Sequence, residues 1–295
     1  MPVGAYDARV VEFGAGAGAA GGLDVRWHAG WVSAKHDPAP EIQVHRYDEH
    51  TVIMRQNKSV NFEAPFLFLL FGNEGALLLD TGATAEPEYF PLRSTVDGLV
   101  AGWLAEHPRD GYRLTVAHTH GHGDHRAGDA QFADRPHTTV VGSTLADVTA
   151  FYGFDRWPAG AATVDLGGRV IDVLPGPGHH EAATVFYDRY TGLLFTGDSV
   201  CRGRLYIFDW QAFTATVDRL LEFSERHPVR HVLGCHIEMT TTPRRDYPIF
   251  TTYQPDEPPL QMSVEHLRAV RAALAEAGGR PGPQPYDDFV LYGVG

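Results

Sequence analysis

Residues 114–125 read LTVAHTHGHGDH, an apolar run that passes without a break into a loop of histidine, glycine and aspartate. Leu114–Ala117 predicts a short buried strand. The loop at its mouth carries His120 and His122 one residue apart, so both imidazoles can project to one side and grip a single ion. Asp124 and His125 are adjacent and diverge from that pair, which frees them for a second ion. Gly121 and Gly123 remove side-chain bulk and permit a tight loop. Isolated histidines are usually solvated surface groups, but a His-x-His-x-Asp-His run at a strand end is poorly explained that way.

Three further segments place donors after apolar runs. Pro177-Gly178-His179-His180 follows a strand ending at Leu174, and the turn presents His179 as a third nitrogen for the first ion, with His180 as the competing donor. Thr196-Gly197-Asp198 ends another run, where a carboxylate with two oxygens can bridge two cations. Gly234-Cys235-His236 follows Val232-Leu233 and offers His236 to the second ion, with Cys235 or His231 as rivals.

Outward from these motifs, the pattern from about residue 41 alternates strand-like and helix-like segments, as in an α/β layered domain. Phe66–Phe71 (FLFLLF) and Ala76–Leu79 read as a hairpin of buried strands across Gly72–Gly75. Ser94–His107 and Gln211–His227 read as amphipathic helices, and Ser143 as the cap of a segment running to Phe151. Ala162–Leu166 pairs with Arg169–Leu174, and Ala183–Tyr187 with Leu193–Thr196. Residues 1–40, rich in Gly and Ala, read as a loosely ordered lead-in. The α/β domain is expected over 41–240, followed by a Pro-rich extension, 241–295, with one helix capped by Ser263 and ended by Gly278-Gly279.

Composition narrows the function classes. The 295 residues carry 16 His but 2 Cys, which favours an imidazole and carboxylate ligand set and a reduced, cytoplasmic chain without a disulfide scaffold. A formal charge of −13 argues against a nucleic-acid partner. No run approaches the ~20 apolar residues of a membrane span, and no signal peptide is visible at the N-terminus. The expected partner is a small-molecule substrate; oligomeric state is not legible.

Taken together, Thr119–His125, Pro177–His179, Thr196–Asp198 and His236, with the Asp80-Thr81-Gly82 turn, resemble the metallo-β-lactamase fold superfamily of metallohydrolases from about residue 64 to 236. The resemblance implies an αββα four-layer sandwich of two mixed β-sheets flanked by helices, with the site at one edge. It also implies that His120, His122 and His179 hold one ion, that Asp124, His125 and His236 hold the other, and that Asp198 bridges them. Asp80 then supports the ligands without joining them. Cys235 stands where the family usually has glycine, and His180-Glu181-Ala182 replaces a common Thr-Pro-Gly.

By that resemblance the chain is a hydrolase with two divalent ions, zinc foremost and iron or manganese as alternatives, using a bridging hydroxide on an ester, thioester or lactone. Asp124 is the expected catalytic residue, orienting the nucleophile and passing its proton to the leaving group. Arg202, Arg204 and Tyr206, which follow Asp198 within a few positions, are candidate substrate contacts. A mononuclear-iron, sulfur-dioxygenase-like oxidoreductase and a β-lactamase-type amide hydrolase are the competing readings.

Overall fold

The computed structural model describes residues 10–16 and 21–294; the Gly- and Ala-rich reading therefore falls partly outside the described residues, at 1–9 and 17–20. The strands are β1 (Ile42–Asp48), β2 (Thr51–Gln56), β3 (Phe66–Phe71), β4 (Gly75–Leu79), β5 (Arg113–Ala117), β6 (Thr138–Val140) and β7 (Ala162–Asp165). They continue with β8 (Val170–Pro175), β9 (Thr184–Asp188), β10 (Leu193–Gly197), β11 (Arg204–Ile207), β12 (His231–Gly234), β13 (Gly282–Pro285) and β14 (Val290–Gly293). The helices are α1 (Leu92–Glu106), α2 (Gly123–Arg126), α3 (Leu145–Tyr152), α4 (Trp210–Arg226) and α5 (Val264–Ala277).

One mixed sheet has the order β1-β2-β3-β4-β5-β6 and the other β12-β10-β9-β8-β7. The strand β3 shows why they stack. Phe66, Phe68 and Leu70 face Ile171, Val173, Phe186 and Phe195 of the second sheet, while Leu67, Leu69 and Phe71 face Val96, Val100 and Trp103 of α1. A run buried on both faces has no polar alternation, which is what FLFLLF displays. On the far side, Val185, Leu194 and Val232 pack under α4 and α5 through Phe213, Val217, Leu267 and Leu274. The architecture is thus helix, sheet, sheet, helix, as the resemblance implied.

Local chemistry sets the helix ends. Asp209 caps α4 by accepting from the Ala212 amide at 2.9 Å, and Ser263 caps α5, which stops at the left-handed Gly278. Helix α3 differs from expectation: Thr144, one residue on from Ser143, is the cap and forms a reciprocal box with Asp147.

Two regions depart from the sequence reading. Leu23 and Trp27 are buried between the sheets, with the Trp27 ring edge-on to Phe66 at 4.9 Å, so residues 21–40 contribute to the core although their composition resembles filler. The C-terminal stretch does more than supply a helix. Its strand β14 runs parallel to β11, Tyr206 opposite Tyr292, and forms with β13 a small third sheet beside the second.

Candidate metal centre

Strands β5, β8, β10 and β12 all end at the same edge of the sandwich, and each delivers its donor residues there. After β5, the chain turns through His120 and His122 into α2, which carries Asp124 and His125. Beyond β8, Gly178 adopts φ +132° and its carbonyl accepts from the Phe208 and Asp209 amides, which locks the turn against the start of α4. Asp198 directly follows β10, and His236 lies just beyond β12.

Two groups of donors result. In the first, Nδ1 of His122 lies 2.9 Å from Nε2 of His120 and 3.0 Å from Nε2 of His179. The second brings Oδ2 of Asp124 to 3.2 Å from His125 Nε2 and 3.3 Å from His236 Nε2, with the two imidazole nitrogens 3.4 Å apart. Asp198 touches both groups. Its Oδ2 is 3.4 Å from His125, 3.7 Å from His179 and 3.9 Å from His120, and its Oδ1 is 3.4 Å from His236.

The outer nitrogens decide whether these groups can hold cations. His179 Nδ1 donates to the Tyr206 carbonyl at 2.8 Å, His236 Nδ1 to the Glu63 carbonyl at 3.0 Å, and His125 Nδ1 to Asp80 Oδ2 at 2.9 Å. Each outer nitrogen therefore carries a proton, and each ring, in the neutral form that ligates a metal, turns a lone pair inward. Lone pairs facing one another across 2.9–3.4 Å repel unless a cation sits between them. Two nitrogens at tetrahedral zinc stand roughly 3.3 Å apart, given bonds of about 2.0–2.1 Å. Spacing and donor type fit divalent cations at both groups.

Titration directions separate the two groups. Burial pushes His120, His122 and His179 down, so the first group is neutral and ready to ligate. Burial also opposes charge on His236, but Asp198 and Asp124 outweigh it and push His236 up to about 9. His125 is raised well above its usual range by Asp198 and Asp80 against the same burial. Although desolvation works the other way, His236 and His125 hold Asp198 and Asp124 far below the ordinary carboxylate range.

The competing donors are placed elsewhere. His180 Nδ1 accepts from the Ala182 amide at 3.1 Å, His231 begins β12 away from the cleft, and the Cys235 thiol contacts Asp80 Oδ2 at 3.3 Å. His118 pairs with Asp129 at 2.8 Å. Asp80 also accepts from the Thr119 amide at 2.7 Å and hydroxyl at 2.9 Å, so one buried carboxylate braces the loop behind the second group. Of the loop glycines, Gly121 is tight, a Cβ there meeting Ser143 O at 3.0 Å, whereas Gly123 faces open space.

A cleft of about 280 Å³ opens over both groups, walled by Glu63, Cys201, Arg204, Tyr206, Phe208 and Glu238. Tyr206 lines it. Arg202 does not: its guanidinium turns to Asp288 at 2.6 Å, a partner that sequence proximity to Asp198 could not reveal. Arg204 takes the place at the wall. Glu63, Glu238 and Phe208 join the wall without a signal in the sequence, and nothing local marks Glu63. Trp157 and Trp210 pack against cores, and Tyr253 lines a separate groove.

Among known proteins, the chain is 31% identical over 140 residues to a hydroxyacylglutathione hydrolase of Rhizobium meliloti (strain 1021), covering 45% of this chain and 51% of that one. A protein of the same name from Erythrobacter litoralis (strain HTCC2594) is 27% identical over 209 residues, covering 68% and 76%. The chain thus spans about half the length of the first relative. A solved metallo-beta-lactamase from Pontibacter korlensis superposes with a TM-score of 0.54 at 20% identity, covering 79% of this chain and 99% of that one, a likeness of fold. The family model of the Metallo-beta-lactamase superfamily matches residues 61–236, which is the stretch from the loop that carries Glu63 to the last inward-facing imidazole. With that match over more than half of its length, the chain belongs to the metallo-beta-lactamase superfamily.

Proposed function

We propose that the chain is a metal-dependent hydrolase that holds two divalent ions, zinc foremost, and cleaves an ester, thioester or lactone. The observation that carries the reading is the position of Asp198 Oδ2, within 3.4–3.9 Å of imidazole nitrogens from both groups. His120, His122 and His179 would hold one ion, Asp124, His125 and His236 the other, with Asp198 shared. When bound, the ions supply a water of lowered pKa and Lewis-acid polarisation of the carbonyl. Asp124 is partly open to the cleft and positioned to orient that water. In the balanced step the water oxygen bonds to the carbonyl carbon, the carbon–oxygen or carbon–sulfur bond breaks, and one water proton passes by way of Asp124 to the leaving group. The hydroxyacylglutathione hydrolases named above support the thioester member of this class.

An iron-dependent oxidoreductase would need only a subset of these donors. The second group, with two inward imidazoles and a carboxylate, favours hydrolysis over it. We infer a small-molecule substrate and, from free, buried Cys201 and Cys235 and acidic composition, a reducing cytoplasmic setting without nucleic acid. Among the described residues no helix is long and apolar enough to cross a membrane. The test is metal analysis joined to turnover on an ester, thioester and lactone panel. Two zinc per chain with turnover, both lost in Asp198→Ala, is expected; one iron with oxygen uptake on a persulfide would replace the reading by the oxidoreductase.

A further inference from the structure

The walls of the cleft are anionic. Arg204, the one arginine or lysine lining it among the described residues, is spent: its guanidinium meets Glu238 Oε1 at 2.5 Å and Asp246 Oδ2 at 2.8 Å, and its amide donates to Glu238 Oε2 at 2.6 Å. One guanidinium therefore faces two carboxylates, and outside the metal centre no unpaired side-chain cation remains on this wall for an incoming anion. Lys58, behind the wall, is likewise taken up by Glu257 at 3.8 Å and the Phe62 carbonyl at 3.4 Å.

Glu63 differs from every other acidic residue of the cleft. Its backbone is fixed at both ends: the amide donates to Asn61 Oδ1 at 3.0 Å, and the carbonyl accepts from His236 Nδ1 at 3.0 Å. Asn61 is itself held by the Ala83 carbonyl at 3.0 Å. The side chain leaves this rigid backbone and lines the cleft without an ion-pair partner among the described residues. Next to it, Phe62 packs edge-on against Phe250 at 4.7 Å, and Phe208, 57% exposed, stands by His122 and His179. A half-buried, unpartnered carboxylate that shares its cleft with the exposed ring of Phe208 is the chemistry that recognises an organic ammonium ion.

We propose that Glu63 is the specificity-determining residue of this cleft and that the substrate carries a positive charge, an alkylammonium, close to the scissile carbonyl. The inference rests on the metallohydrolase reading and sharpens it. Glutathione carries two carboxylates and a net negative charge, and outside the metal centre this wall offers them no unpaired side-chain cation. The relatives' printed substrate class is therefore disfavoured for this chain.

The test uses zinc-loaded protein and two isosteric series. In the first, one uncharged thiol is acylated with 4-(trimethylammonio)butyryl, 5,5-dimethylhexanoyl or glutaryl. The second compares a choline ester with its 3,3-dimethylbutyl counterpart. In at least one series kcat/KM for the cation exceeds that of the neutral isostere by about tenfold, and Glu63→Gln reduces the ratio to about one while zinc content holds. Preference for the glutaryl or neutral substrate, or a cation preference that survives in Glu63→Gln, would overturn the proposal. Binding of an alkyltrimethylammonium ion, read by NMR line broadening, is measured alongside. If no substrate of either series turns over, the hydrolase reading fails on its own account, and loss of that binding in Glu63→Gln still decides whether Glu63 selects cations.

Discussion

Nδ1 of His125 lies 2.9 Å from Oδ2 of Asp80, and both side chains are fully withdrawn from solvent. A carboxylate in this position can only accept, so it fixes the His125 tautomer and turns Nε2 to the centre. Asp80→Ala should weaken zinc binding at the Asp124, His125 and His236 group by about 10–100-fold and spare the His120, His122 and His179 group. A competitive chelator titration resolves the two; equal loss at both groups would contradict the assignment.

Gly178 stands at φ +132°, and a Cβ there would lie 2.4 Å from the Phe213 backbone. Gly178→Ala is therefore expected to displace His179 and to cut zinc retention at the first group by more than about tenfold. Gly123→Ala, where a Cβ meets open space, is the paired control and should keep its zinc. Metal content of the two purified variants is the readout.

Arg169 ties the sheets together. From the second sheet it donates to Asp188 Oδ2 at 2.6 Å, and across to the His50 carbonyl at 2.5 Å, the Phe71 carbonyl at 3.0 Å and Thr51 Oγ1 at 2.7 Å. Arg169→Met strands a buried carboxylate and two carbonyls, and should cost about 3–5 kcal/mol in urea unfolding. Adding Asp188→Asn should recover part of that loss, because the stranded charge is then gone.

Lys58 is buried, and desolvation chiefly, with Arg55 adding to it, pushes its amine down to about 8 from 10.5. Its folded value lies below the unfolded one, so between pH 8 and 10.5 the unfolded chain binds the extra proton and raising pH favours the fold. Lys58→Met leaves the Arg55–Glu257 pair at 2.6 Å intact and should stabilise the protein by about 1–3 kcal/mol at pH 7. The advantage should shrink across that alkaline window when melting temperatures of the two proteins are compared. A constant difference would refute the assignment.

What the sequence discloses about the site follows from where donors lie. His120, His122, Asp124 and His125 form one contiguous run, and His179, Asp198 and His236 each follow an apolar segment, so ligand types and strand ends are readable without coordinates. The buried faces of β3 are equally plain in FLFLLF. The walls are not. Arg202 and Arg204 look alike until Asp288 and Glu238 are placed beside them from distant parts of the chain. Glu63 reaches the centre because its carbonyl bonds a histidine 173 positions later, a relation without a local pattern. Trp27 is hidden differently: small-residue composition describes a segment's average and says nothing of one large ring that fills a core.

The parallel pairing of β14 with β11 has a consequence for the order in which the protein matures. Tyr206 sits in register with Tyr292, and the Tyr206 carbonyl sets the tautomer of His179. During synthesis all seven donors leave the ribosome before the strand that braces this carbonyl exists. A nascent chain stalled before Val290 would therefore present its histidines on an unbraced wall.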